Sequence, residues 1–425
     1  MIVLGVVIVL LTIFAIVKRW EVRLVLFTSG ALMLTLSGNP LGAVNAFVGP
    51  TGLVAGGLVP IITTVMGFAF VLKITECDKH LIHALVRPIS KLEKILIPGT
   101  VIVTAMINVA LPSAAGISAA VGAIMIPTLM AAGVRPAMAA SAVMAGTFGS
   151  AMSPGSAHVV FVADLTGMEI MEVVAVIAPK TIVGILIGAI ALTVIAFIRK
   201  EHKGYVPPEG EDILKTGGDL AAFKINPLKA IVPVVPLAIL IVASPQLGIS
   251  PISFTVPQSM FIGMILAGVV SLTNPQEISR KFFSGVGTAY AEVIGIIACA
   301  AVFTAGMQQI GLIPALIAAM EGSDAIVRPA ATFGPMLIAL LTGTGDAATL
   351  AFNNAITPHA ALFGLDMASV GTTASLTGAF GRTMSPLAPA AIICAGLAKV
   401  DPIEITKRNG PGMIIAAFVT MFMVV

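Results

Sequence analysis

GSAMSPGSAHVVFVADLTGMEIMEVVAVIAP, residues 149–179, and GRTMSPLAPAAIICAGLAKVDPIEITKRNGP, residues 381–411, are two copies of one pattern. Phe148 matches Phe380, Gly149 matches Gly381, Met152-Ser153-Pro154 matches Met384-Ser385-Pro386, Glu172 matches Glu404 and Pro179 matches Pro411. All of these pairs share one constant offset, which marks an internal repeat. Both copies are apolar, yet each carries Ser-Pro and Gly in its middle. Proline removes a backbone hydrogen bond and bends a helix. Within lipid, the freed polar groups survive only where they line protein or a water-filled cavity. The bland alternative is that Pro kinks and Gly permits tight packing. It fits one motif well and two in register poorly. The pair predicts two broken helices sharing one small polar chamber, with half-helix N-termini that favour anions.

The rest of the chain places this repeat in a membrane. Of 425 residues, 58% are hydrophobic and only 10% are charged. A soluble domain carries about 25% charged residues, so soluble enzymes, disordered chains, fibres and nucleic-acid binders are excluded. The length allows about ten to twelve crossings. One Trp, 2 Tyr and no strand-like alternation argue against a β-barrel. The three cysteines fit no metal or disulfide spacing. The apolar N-terminus lacks a basic region and a cleavage site, and reads as a retained first span. The expected fold is an all-α polytopic membrane protein.

Apolar windows give ten spans, near 2–17, 24–38, 52–72, 136–163, 172–198, 228–247, 254–273, 287–309, 367–397 and 410–425. Two further stretches, 97–133 and 328–365, are too long for one span and have polar centres. They read as re-entrant hairpins. With both hairpins opening to one side each, every basic cluster falls on one face: Lys18-Arg19-Arg23, Lys73 to Lys94, Arg199 to Lys229, Arg280-Lys281, and Lys399 with Lys407-Arg408. That face is cytoplasmic by the positive-inside rule. The first hairpin then enters from the cytoplasm and the second from outside. The two copies cross in opposite senses, as in inverted-repeat secondary transporters. The halves are 1–198 and 228–425, joined by a cytoplasmic linker at 199–227, and 79–94 reads as an interfacial amphipathic helix.

The polar residues at the tips and breaks are the candidate site. The first tip offers Asn108, Ser113 and Gly116, and the first break Ser153, Gly155 and Ser156. The second tip offers Gly343, Thr344, Gly345 and, further on, Asn353; the second break offers Arg382, Thr383 and Ser385. Small hydroxyl residues and Gly leave backbone amides free for a carboxylate, though any one of them also serves small-residue packing. An Arg in mid-span costs about 2.5–3.5 kcal/mol on insertion scales, so Arg382 needs a partner or water. Substrate and Asp346 are both eligible; the bland alternative is snorkelling to the interface. Asp346 is suited to bind a coupling cation, exchange a proton or neutralise Arg382. His158 and His359 are suited to proton relay, although a lone His is more often structural. No Walker motif, hydrolase triad or metal-ligand cluster is present in the sequence, so neither an ATP-driven pump nor an enzyme is expected, and no cofactor.

With these residues in view, the chain resembles the DcuC-type carriers of four-carbon dicarboxylates, within the ion transporter superfamily. The resemblance rests on GRTMSPLAPAAIICAGLAKVDPIEITKR, the GTGDA tip before it, and the PSAAG, IPTLMAAGVRPAMAA and SPGSAHVV segments of the first half. It implies transport of fumarate, succinate or malate across a bacterial or archaeal inner membrane, by antiport or cation-coupled symport with H⁺ or Na⁺. It also implies a homodimer and binding at tips and breaks. Such carriers have Asn where this chain has Asp346, and the added charge calls for neutralisation by Arg382, a proton or a Na⁺ held there. A carrier of gluconate or another monocarboxylate is the runner-up, and an anion channel stands behind it.

Overall fold

The computed structural model describes the chain except residues 51, 55, 91–94, 207–222, 246–248, 251, 321–323 and 425. The described residues are helical, without a strand. Helices α1 (Ile2–Val17), α2 (Val22–Leu36), α3 (Gly42–Val48), α4 (Leu58–Thr75) and α5 (Cys77–Ser90) lead into a helical hairpin of α6 (Leu96–Ala110) and α7 (Ala114–Ala131). Next comes the first broken helix. It comprises α8 (Pro136–Ala145), a 3-10 turn at Gly149–Met152 and α9 (Ala157–Thr166), and α10 (Ile170–Ile198) follows.

The second half opens with α11 (Pro227–Ile231), α12 (Val235–Val242) and α13 (Val256–Ser271). Helix α14 (Pro275–Ala289) runs through a π turn at Tyr290–Ile294 into α15 (Gly295–Gln309), and α16 (Leu312–Met320) follows. A second hairpin, α17 (Asp324–Thr342) and α18 (Gly345–Ala355), precedes the second broken helix, α19 (Met367–Thr383) and α20 (Pro389–Ala398). Helix α21 (Pro402–Met421) closes the chain.

The two copies of the repeat share local structure at their helix ends. Gly167 and Lys399 both end their helices in the left-handed conformation, at φ 68 and 53. Glu169 and Asp401 then stand at the N-caps of α10 and α21; Asp401 Oδ1 accepts from Ile403 N at 2.9 Å, and the Glu172 carboxylate accepts from Glu169 N at 3.0 Å. The packing obeys the same symmetry. Helix α6 lies on α8 as α17 lies on α19, α7 packs on α20 as α18 packs on α9, and α10 packs on α21. Each hairpin thus packs one arm on the broken helix of its own half and the other on that of the opposite half. Phe148 and Phe380, equivalent residues beside the two breaks, meet edge to face with centroids 5.0 Å apart, both fully buried. Equivalent residues in contact lie on the axis relating the halves, so the breaks face each other at the centre. Large apolar side chains such as Leu10, Ile190, Ile265 and Phe422 are exposed on the outer helices, as lipid contact requires.

Several boundaries differ from expectation. Among the described residues, four helices reach 18 residues with the apolar composition of a span: Leu58–Thr75, Ala114–Ala131, Ile170–Ile198 and Pro275–Gln309. The span expected at 287–309 starts at Pro275, because Asn274 caps it and Pro sits at its first position. The last span starts at Pro402 rather than 410 for the same reason, with Asp401 as cap. Charged Glu404, Lys407 and Arg408 are accommodated in its first turns because they pair with one another, at 2.5 and 2.8 Å. The segment 79–94 is helical as far as Ser90; Lys91 and Lys94 lie outside the described residues, as does most of the linker.

The described start of that linker is not free. Arg135 N donates to Glu201 O, and Tyr205 N to Gly133 O. Arg408 donates from Nε and Nη2 to the two Glu201 carboxylate oxygens, at 2.7 and 2.6 Å, with both side chains buried. Without Glu201, buried Arg408 keeps only Glu404 as a charged partner, so part of the roughly 3–5 kcal/mol cost of unpairing a buried charge is expected. Glu201→Gln is therefore expected to lower the melting temperature of the detergent-solubilised protein sharply. Glu201→Met with Arg408→Met should recover most of the loss. An unchanged melting curve for Glu201→Gln would show that the clamp carries no stability.

Candidate functional site at the helix breaks

At the first tip, buried Asn108 donates from Nδ2 to Leu111 O at 3.1 Å and accepts from Ser150 N at 2.8 Å. It ties tip to break. Ser113 is exposed and caps α7 by accepting from Gly116 N at 3.1 Å. In the first break, buried Ser153 accepts from Gly155 N at 3.4 Å, and a Cβ on Gly155 would lie 2.7 Å from Val65. Ser156 precedes α9 without a side-chain cap bond, so the first N–H groups of α9 keep their donor capacity. A small cleft lies where Leu111 and Pro112 meet Ser153 and Pro154, walled by Val65 and Phe68.

In the second half the tip presses directly on the break. Gly343 has φ 76, and a Cβ there would stand 2.7 Å from the backbone of Leu387. Only glycine lets this tip press on this break. Gly345 approaches Gly378 less closely, with 3.1 Å from an added Cβ to the carbonyl oxygen. Thr344 N donates to Thr342 Oγ1. Ser385 Oγ donates to Leu340 O at 2.7 Å and accepts from Leu387 N, stitching break to hairpin. Thr383 Oγ1 donates to its own helix at Ala379 O. Asn353 is buried and occupied by Gly371 O, Ser375 Oγ and Thr357 Oγ1. The hydroxyls of Thr383 and Ser385 and the amide of Asn353 are therefore spent on the fold.

The charged residues meet across the halves. His158, in the first turn of α9, and Asp346, in the first turn of α18, are joined by a 2.8 Å contact from Nε2 to Oδ1. The Asp346 side chain is 56% exposed, and a helix N-terminus is the end that favours a carboxylate. His158 Nδ1 is buried and has no partner among the described residues. Arg382 donates from Nη2 to Thr147 O at 3.0 Å, in the first break. That is its only hydrogen bond among the described residues, so the rest of the guanidinium fork has no protein acceptor. Of the two partners eligible for Arg382, Asp346 makes no hydrogen bond to it among the described residues: Asp346 contacts His158, and Arg382 donates to a backbone carbonyl of the first break. His359 lies apart, in the turn Thr357–Phe363.

One buried cation escaped the sequence reading. Lys180, in α10, is buried against α19. A lone Lys inside an otherwise apolar span was the available signal.

The sequence pattern of the DcuC family, described as C4-dicarboxylate anaerobic carrier, matches residues 2–425. The chain belongs to the DcuC family. It is 26% identical to the anaerobic C4-dicarboxylate transporter DcuC of Escherichia coli over 451 aligned residues, covering 96% of this chain and 94% of that one. It is 40% identical to an uncharacterized transporter of Haemophilus influenzae over 282 residues, 64% of this chain and 99% of that one. Among solved structures, MtrF of Neisseria gonorrhoeae, described within a class of antimetabolite efflux pumps, shares the fold. The TM-score is 0.60 at 12% identity, covering 92% of this chain and 83% of that chain. As a DcuC-family protein the chain is a bacterial integral membrane transporter and not an enzyme.

Proposed function

We propose that this DcuC-family chain carries small dicarboxylates by alternating access, exchanging them or coupling their movement to H⁺ or Na⁺. The observation that supports this most is Arg382, held by one bond to Thr147 O with the rest of its fork unpaired beside the breaks. A guanidinium fork suits a carboxylate bidentately. The second carboxylate has the uncapped N-terminus of α9 to turn to, with Ser153 alongside.

Coupling follows from charge. Asp346 opposes an entering anion until it takes up a proton, shared with His158, or a Na⁺. Either uptake raises the charge of the chamber by one and favours the anion, so ion and substrate travel together. The two hairpins and broken helices would move against the remaining helices, with each hairpin entering the membrane from its own face.

Counterflow of labelled succinate in proteoliposomes tests the reading. Fumarate and malate should compete, while gluconate and acetate at the same concentration should not. Absence of counterflow would remove the carrier, and stronger competition by monocarboxylates would reassign the substrate.

A further inference from the structure

Lys180 is buried, and its Nζ lies 3.0 Å from Ser369 O, 3.0 Å from Ser369 Oγ, 3.2 Å from Thr372 Oγ1 and 3.0 Å from Thr373 Oγ1. All four oxygens are neutral and come from one face of α19. Among the described residues no carboxylate pairs with this ammonium. Asp366, the carboxylate that acts on it through space, is engaged in capping Ser369 N at 2.6 Å. An isolated ammonium is costly to bury, and here its direct partners are all neutral oxygens, with Asp366 acting only at a distance. Carbonyl and hydroxyl oxygens gathered around one positive centre are what a hard monovalent cation requires. The arrangement occurs once: at the equivalent positions the other half has Gly412 for Lys180, and Ala137, Ala140 and Ser141 for Ser369, Thr372 and Thr373.

We propose that α19 carries a monovalent-cation site and that Lys180 fills it with a tethered ammonium. The chain supplies its own cation at this point, joining α10 of one half to α19 of the other, and needs no alkali ion from solution there. The site is distinct from the Asp346–His158 pair, and the proposal stands or falls independently of the substrate.

Shortening the side chain should expose the vacancy. Lys180→Ala, purified in detergent with choline as the only cation, is expected to melt below the wild-type protein. Adding K⁺ or NH₄⁺ at constant ionic strength should raise its melting temperature by about 2 °C or more, as a site filled to roughly ten times its dissociation constant would. The wild-type protein sets the background response to each ion, including any at Asp346. Lys180→Met fills the space with an apolar chain and should respond no more than wild type. If Lys180→Ala does not fold in choline, its yield on expression with and without ammonium in the medium replaces the melting curve, and ammonium-dependent yield is the expected result. A response to K⁺ and NH₄⁺ equal to wild type in Lys180→Ala or, where yield is the readout, ammonium-independent yield would overturn the proposal.

Discussion

Asp346→Asn should leave exchange of dicarboxylate for dicarboxylate running and abolish its dependence on an ion gradient. The substitution preserves shape and one acceptor for His158, but the side chain no longer binds a proton or Na⁺. A tenfold gradient of one coupled ion supplies about 1.4 kcal/mol, enough for about tenfold accumulation. Wild-type vesicles are expected to accumulate substrate to that extent, and the variant not at all. Counterflow in the same vesicles should stay within about threefold of wild type. Equal loss of both activities would instead mark Asp346 as structural, holding α18 against α9 through the 2.8 Å contact with His158.

Arg382→Lys should raise the apparent KM for succinate by about 10- to 100-fold, the loss of one charge-assisted hydrogen bond worth roughly 1.5–3 kcal/mol. Lysine keeps the charge but presents one ammonium. It cannot hold Thr147 O at 3.0 Å and still offer a planar fork to a carboxylate. The change belongs in KM, because binding is what is lost. Succinate counterflow with an unchanged KM would show that the guanidinium serves only the carbonyl of the first break.

The repeat was legible because it is local and doubled. Ser153-Pro154 and Ser385-Pro386 sit in matching frames, and the caps Glu169 and Asp401 follow each at the same distance. Tip residues were legible for a similar reason: Pro112-Ser113 and Gly343-Thr344 interrupt apolar helices. Partnerships were not. His158 and Asp346 stand 188 residues apart, and Arg408 stands 207 from Glu201, so no spacing rule connects them. Glu201 read as linker because its neighbours are hydrophilic, whereas the backbone bond to Arg135 draws it inward. Ser385 and Asn353 read as ligand groups because polar residues in lipid are rare, yet their hydrogen bonds close the gap between the second hairpin and its break. A polar residue in a membrane must have a partner; sequence alone does not say whether that partner is substrate or chain.

The most direct measurement is gradient-driven uptake by the double variant His158→Asn with Asp346→Asn, set beside its counterflow. Removing both members leaves neither without its partner, so the protein should elute as a single species and exchange succinate. If the pair is the coupling site, an imposed H⁺ or Na⁺ gradient should produce no accumulation in any of these vesicles. Accumulation at the wild-type ratio would show that the pair only fastens α9 to α18 and that the coupling ion binds elsewhere.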